Sequence, residues 1–170
     1  MKLRIISFVV FVTCMISAKD LFAQDIINPN VYYRLTCQWL GEEKSLDIVN
    51  AGKNDKVQMA NSGNYEGQYW KLTPVGNGFY RLTCKWLGTG MSLDVVNDGT
   101  NNKLNMTKTG NYDGQKWKVT WMDNGARLTT KWQGDNKSLD VVNDGTNNKL
   151  QLAKTGNYKG QQWLLIQITE

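Results

Sequence analysis

WLGTGMSLDVVNDGTNNKLNMTKTGNYDGQKW, residues 86–117, is followed by WQGDNKSLDVVNDGTNNKLQLAKTGNYKGQQW, residues 132–163, and the two agree at 23 of 32 positions, which excludes coincidence. An earlier version, WLGEEKSLDIVNAGKNDKVQMANSGNYEGQYW, occupies 39–70. Each window sets its two Trp residues 31 positions apart without a gap, and the windows begin at 39, 86 and 132, offsets of 47 and then 46. The chain is therefore three copies of one unit, at about 31–77, 78–124 and 125–170.

Within a copy the pattern is β. Tyr33-Arg34-Leu35-Thr36-Cys37 and Tyr80-Arg81-Leu82-Thr83-Cys84 alternate, as half-buried strands do. Ser-Leu-Asp-Val-Val (92–96, 138–142) runs into the turn-forming Asn-Asp-Gly-Thr-Asn-Asn, and Lys149–Ala153 alternates again. The second Trp opens a fourth strand, and Asn77-Gly78 and Asn124-Gly125 read as hairpin turns between copies. No stretch keeps a 3.6-residue period. Four strands per copy give about twelve in all, and a four-stranded unit of this size cannot cover its own apolar face. Three blades are too few for a propeller, and no copy is atypical enough to cap a solenoid. An all-β, closed assembly with threefold pseudo-symmetry remains, and the β-trefoil is that architecture. Trp70, Trp117 and Trp163 are expected in its core, with Leu35, Leu82, Leu128, Leu46, Leu93, Leu139, Val57, Leu104 and Leu150.

Residues 1–23 read as a signal peptide, leaving 24–170 as the folded domain. Lys2 and Arg4 precede the apolar run Ile5–Ile16, and Ala23 offers a small residue for cleavage. The expected setting is secreted, periplasmic or extracellular, without membrane insertion after cleavage. The leader carries three of the basic residues and one acid, so the net charge falls from +5 to +3. The remaining lysines are scattered among acids rather than clustered, which speaks against nucleic acid. The chain of 170 residues has no His, removing Ser-His triads and most zinc sites. No nucleophile elbow, phosphate loop or metal-spaced Cys pair occurs, so no catalysis, cofactor or metal is expected. Cys37 and Cys84 hold equivalent places in copies one and two, with Thr130 in copy three; strands related in this way are expected to keep the two thiols apart and reduced, with a disulfide as the alternative in a secreted setting.

Gln68-Tyr69-Trp70, Gln115-Lys116-Trp117 and Gln161-Gln162-Trp163, in register with three Leu-Asp-Ile/Val strands, resemble the ricin B-type lectin family over essentially the whole domain. The resemblance implies a β-trefoil that binds carbohydrate through an Asp on the second strand of each copy (Asp47, Asp94, Asp140). It also implies a polar residue on the third strand (Gln58, Asn105, Gln151) and the Gln before the repeated Trp (Gln68, Gln115, Gln161). The family's aromatic platform falls on Ala60, Thr107 and Ala153, and its Asn on Gly67, Gly114 and Gly160; the galactose specificity of familiar members is not carried over. A sugar still needs a flat apolar surface beside its hydrogen-bond partners. Tyr65, Tyr112 and Tyr158 are the first substitutes for it, and Trp39, Trp86 and Trp132 the second. Each residue also has a structural alternative: the Asp as acceptor of loop N–H groups, the Tyr as a lid on its hairpin, the Trp as a barrel cap. The expected function is a non-catalytic, secreted lectin with up to three weak, related glycan sites. A protein-binding trefoil such as a protease inhibitor, or a polyanion binder using Lys103, Lys108, Lys149 and Lys154, are the alternatives.

Overall fold

The computed structural model describes residues 27–169, so the leader segment lies outside the described residues. Twelve strands follow the repeat. Copy one gives β1 (Tyr33–Cys37), β2 (Lys44–Ile48), β3 (Val57–Asn61) and β4 (Trp70–Gly76). Copy two gives β5 (Phe79–Cys84), β6 (Met91–Val95), β7 (Leu104–Lys108) and β8 (Trp117–Met122). Copy three gives β9 (Gly125–Thr130), β10 (Gly134–Val141), β11 (Leu150–Lys154) and β12 (Trp163–Gln167). A 3₁₀ turn precedes the last strand of each copy, at Glu66–Gln68, Asp113–Gln115 and Lys159–Gln161.

The first and last strands of the copies pair in a closed ring, β1–β4–β5–β8–β9–β12 and back to β1. Closure leaves this barrel without free edges. The middle strands form three antiparallel hairpins, β2–β3, β6–β7 and β10–β11, that lie across one end as a triangular cap. This is the β-trefoil. The cap is laced cyclically: the Met59 N–H donates to Asn148 O at 2.8 Å, Met106 N–H to Asp55 O at 2.7 Å, and Leu152 N–H to Asn102 O at 2.7 Å. Every copy thus completes its third strand with a carbonyl from another copy, so no unit satisfies its backbone alone.

The unequal offsets have a local cause. Pro74 pairs with Tyr80 but Gly76 with Phe79, so Val75 is a bulged residue with no counterpart in β8–β9, where pairing runs unbroken to Met122–Gly125. That bulge absorbs the additional residue of the first junction. Its turn places Asn77 and Gly78 at φ 52° and 76°, the left-handed pair expected for Asn-Gly. The second turn sits one residue earlier than the Asn-Gly motif suggests, on Asp123-Asn124, and Gly125 already belongs to β9.

Trp70, Trp117 and Trp163 are fully buried, with Leu35, Leu82, Leu128, Leu46, Leu93 and Leu139 around them. Their indole N–H groups donate to Leu46 O (2.9 Å), Leu93 O (3.0 Å) and Leu139 O (2.9 Å), so each ring ties its own copy's cap hairpin to the barrel. The third strands differ from expectation. Val57 and Leu150 are only half-buried, and the deep positions belong to Met59, Met106 and Leu152 two residues later. All these residues share one strand face. The hairpins enter the cap at Val57, Leu104 and Leu150; Leu104 is buried there as expected, while Val57 and Leu150 stay near solvent and the next inward residue reaches the core.

Candidate functional site

Three equivalent hollows of about 350–370 Å³ open around the rim. Asp47, Asn50, Asn64, Tyr65 and Trp86 line the first. Asp94, Asn97, Asn111, Tyr112 and Trp132 line the second, and Asp140, Asn143, Asn157, Tyr158 and Trp39 the third. The Trp comes each time from the following copy, and copy one supplies it to copy three. Backbone bonds put it there: the N–H groups of Trp86, Trp132 and Trp39 donate to Glu66 O, Asp113 O and Lys159 O at 3.2–3.3 Å. The rim Trp is therefore pinned to the preceding copy's 3₁₀ turn, beside that copy's Asp.

The Asp carboxylate is held in place. Its Oδ1 accepts the N–H of the next residue, Ile48 or Val95, at 2.8 Å in the first two copies. Its Oδ2 accepts from Gln68, Gln115 or Gln161 at 3.2, 3.0 and 3.4 Å. Those glutamines are fully buried and spend their remaining capacity on the loop. Their Oε1 atoms accept the N–H of Gly63, Gly110 and Gly156 at 2.9–3.0 Å, and their Nε2 atoms donate to Asn61 O, Lys108 O and Lys154 O at 2.9–3.0 Å. This corrects the expectation that they contact a ligand. They are positioning residues, because a side chain with no surface has nothing to offer a solute.

Gly67, Gly114 and Gly160 stand where the resemblance puts Asn. A Cβ on Gly67 or Gly160 would lie 2.6–2.7 Å from the Asp Oδ1, so only glycine lets the turn pass over the carboxylate. The other glycine of the Gly-Asn-Tyr-x-Gly loop has a matching reason. A Cβ at Gly63, Gly110 or Gly156 would collide with the ring of the Tyr two residues on, so the ring is seated on bare backbone. Arg34, Arg81 and Arg127 brace that loop from the first strand, donating to the carbonyls of the same three glycines at 2.7–2.8 Å. The Tyr rings are 62–63% exposed, so they stand beside the hollows rather than sealing them. Trp86 and Trp132 are 39% and 38% exposed, leaving one ring region free while the remainder packs.

The third-strand residues fall elsewhere. Gln58, Asn105 and Gln151 sit opposite Asp47, Asp94 and Asp140 in register, yet none is a wall of a rim hollow. Gln58 and Asn105 border a depression of about 510 Å³ where the three hairpins meet. That is a correction to their expected place in the sugar pockets. The side chains added by the structure are Asn50, Asn97, Asn143 and Asn64, Asn111, Asn157. Their recurrence in Val-Asn and Gly-Asn-Tyr is visible in the sequence, but turn chemistry already accounted for them. A further depression of about 740 Å³, around Ile27, Trp121 and Leu165, is walled by none of the repeated Asp, Asn and Tyr residues of the hollows.

The hollows differ in electrostatics. Thr107 donates to Asp94 Oδ2 at 2.8 Å, a bond that Ala60 and Ala153 cannot make. Asp140, with only the longer Gln161 contact on Oδ2, is pushed above the ordinary carboxylate range by burial, offset in part by Gln161 and the Val141 N–H. Outside the hollows, Lys103 and Lys149 are bound to Asp98 and Asp144 at 2.8 and 2.7 Å, and those carboxyls are held well below the usual range. Cys37 and Cys84 are separate buried thiols, raised above their ordinary value by burial.

The geometry defines a β-trefoil with three rim hollows built on one plan. Its structural neighbours are β-trefoil proteins, a lectin among them. The designed threefold-symmetric protein ThreeFoil is 28% identical with a TM-score of 0.66, the match covering 81% of this chain and 99% of that one. A Polyporus squamosus lectin, solved with a Neu5Acα2-6Galβ1-4GlcNAc epitope, is 16% identical with a TM-score of 0.68, over 82% of this chain and 50% of its own. The β-trefoil BEL is 16% identical with a TM-score of 0.65, over 85% and 98%. No protein-family model matches the sequence, and no curated protein matches it.

Proposed function

We propose that the protein is a non-catalytic, secreted carbohydrate-binding trefoil with three rim sites. The observation that carries this is the threefold recurrence of one constellation: a fixed, half-buried carboxylate facing an open hollow, flanked by an exposed Tyr and by a Trp from the adjoining copy. A carboxylate accepts from two neighbouring sugar hydroxyls, and charge makes those bonds the stronger kind. The indole and phenol rings offer flat faces to the C–H side of a pyranose, and the two Asn amides of each hollow supply both donors and acceptors. Nothing here needs to move, because the buried Gln and the glycine turn hold the Asp before any ligand arrives. The likeness to a lectin of the same fold supports the assignment, and the leader-like residues 1–23 support a secreted setting.

Each hollow is shallow, so a single site should bind a monosaccharide with a Kd on the order of millimolar, roughly −4 kcal/mol. Three sites on one rigid body raise avidity for a multivalent glycan by about 10²–10⁴ where the spacing fits. A glycan array followed by calorimetry tests the proposal. Binding of a neutral polysaccharide that is lost in the Asp47→Ala, Asp94→Ala, Asp140→Ala triple variant, with the fold retained, is the expected result. No binding to any glycan on the array overturns it.

A further inference from the structure

The three hollows share their Asp, Tyr and Trp but not the residue that opens the 3₁₀ turn in their walls. It is Glu66 in the first, Asp113 in the second and Lys159 in the third. The surroundings change with it. Glu66 is paired with Lys85 at 3.6 Å, and Asp113 with Lys116 at 2.8 Å and Lys131 at 3.1 Å. The third copy has Gln162 where the second has Lys116, and Gln38 where the others have Lys85 and Lys131. So the acid becomes a cation and its cationic partners become neutral amides. Gln162 turns its amide to Asn157 Oδ1 at 2.9 Å, and Lys159 is exposed with no ion pair among the described residues. One hollow therefore presents an uncommitted ammonium, while the other two present at the same place a carboxylate already paired with lysine.

From this contrast we infer that the third hollow prefers anionic sugars, carrying a carboxylate or a sulfate ester, and that the first two lack this preference. The inference rests on the carbohydrate-binding assignment. Asp140 would hold the ring hydroxyls, as in the other copies, while Lys159 takes the anionic substituent in a charge-assisted bond. In the first and second hollows the same substituent would meet Glu66 or Asp113. The Lys159 contact is solvent-exposed, so its expected effect is modest, about threefold to tenfold in Kd, and it weakens as salt rises.

The indole N–H resonances of Trp39, Trp86 and Trp132 report the three hollows separately in a nitrogen-15 correlation spectrum. The full chain is titrated with the methyl β-glycosides of glucose and galactose, their uronic acids and their 6-sulfates. Anionic sugars are expected to shift Trp39 at threefold to tenfold lower concentration than Trp86 or Trp132, with the difference shrinking in high salt. A response to the uronic acids alone assigns the carboxylate, and one to the sulfates alone assigns the ester. Lys159→Glu should abolish the preference while leaving the response of Trp39 to a neutral sugar, and Glu66→Lys should confer it on Trp86. Both positions are exposed, so folding is retained. Equal responses of the three Trp residues to anionic sugars, or a preference that survives Lys159→Glu, overturn the inference but leave a neutral-sugar lectin standing. No response of Trp39 to any anionic sugar overturns it as well, and silence toward every sugar on the array removes the lectin assignment with it.

Discussion

Two sets of three tryptophans recur at the same period and serve opposite ends. Trp70, Trp117 and Trp163 are fully buried, each with its indole N–H bonded inside its own copy. Trp39, Trp86 and Trp132 lie on the rim, anchored through the backbone to the preceding copy and partly open to water. The first set makes each copy cohere. The second makes each hollow belong to two copies. Repetition alone does not separate the roles, because duplication copies core and surface residues alike; what separates them is the partner of the polar atom.

The largest effect expected from breaking this contrast is in the core. Trp117→Ala should cost about 3–5 kcal/mol, the range for emptying a buried aromatic site, and lower Tm by roughly 10 °C or more in a calorimetric scan. Next comes the buried glutamine behind the second hollow: Gln115→Ala strands the Gly110 N–H and the Lys108 carbonyl and removes one bond from Asp94, which keeps those from Thr107 and the Val95 N–H. A loss of about 2–3 kcal/mol in urea denaturation, together with weaker sugar binding, is the expected result. Trp132→Ala should cost only about 1–2 kcal/mol, because the ring is already partly solvated, yet reduce binding in the second hollow by tenfold or more. Equal destabilisation by Trp117→Ala and Trp132→Ala would erase the distinction between the sets.

The smallest effect on stability is expected at Asp140. Its carboxyl is raised by burial, so the folded protein takes up that proton at higher pH than the unfolded chain does. Ionisation at Asp140 therefore opposes folding above its raised pKa, and that cost is relieved as pH falls through it. Asp140→Asn should leave Tm within a few degrees of the parent at pH 7 and flatten this part of the pH profile. Ligand in the third hollow, which uses the charged form, should be released over the same acid range, read from the Trp39 indole resonance.

Most of the barrel was legible in the chain. Three gapless windows, alternating strands and Asn-Gly junctions specify twelve strands and their closure, and the strand-opening Trp residues sit where their alternation put them. In copies one and three the deep residue of the third strand lies two positions past the expected one, while Leu104 is buried as expected. Val57 and Met59 share a face, and only the taper of the cap decides which one reaches the core. The hollows were half legible. Asp47, Asp94 and Asp140 and the flanking aromatics fall in them, but a repeat shows what a copy contains and not which copy stands next to it. The pairing of Asp140 with Trp39, 101 residues away in the sequence, is a fact of ring closure. Gln68 was assigned to the ligand by resemblance, and its complete burial reverses that. Its amide is taken up within the fold, by Ser45 and Asp47 on β2 and by the backbone of Asn61 and Gly63, which left it no reason to face water.

Because copy one lends its rim ring to copy three, a ligand lodged between Asp140 and Trp39 would touch the start and the finish of the domain together. β1 lies against β12 from Tyr33–Gln167 to Cys37–Trp163, and peeling that seam apart dismantles this hollow while the Trp86 and Trp132 hollows keep their walls. Occupancy there would act as a clasp between β1 and β12, making that seam slower to part.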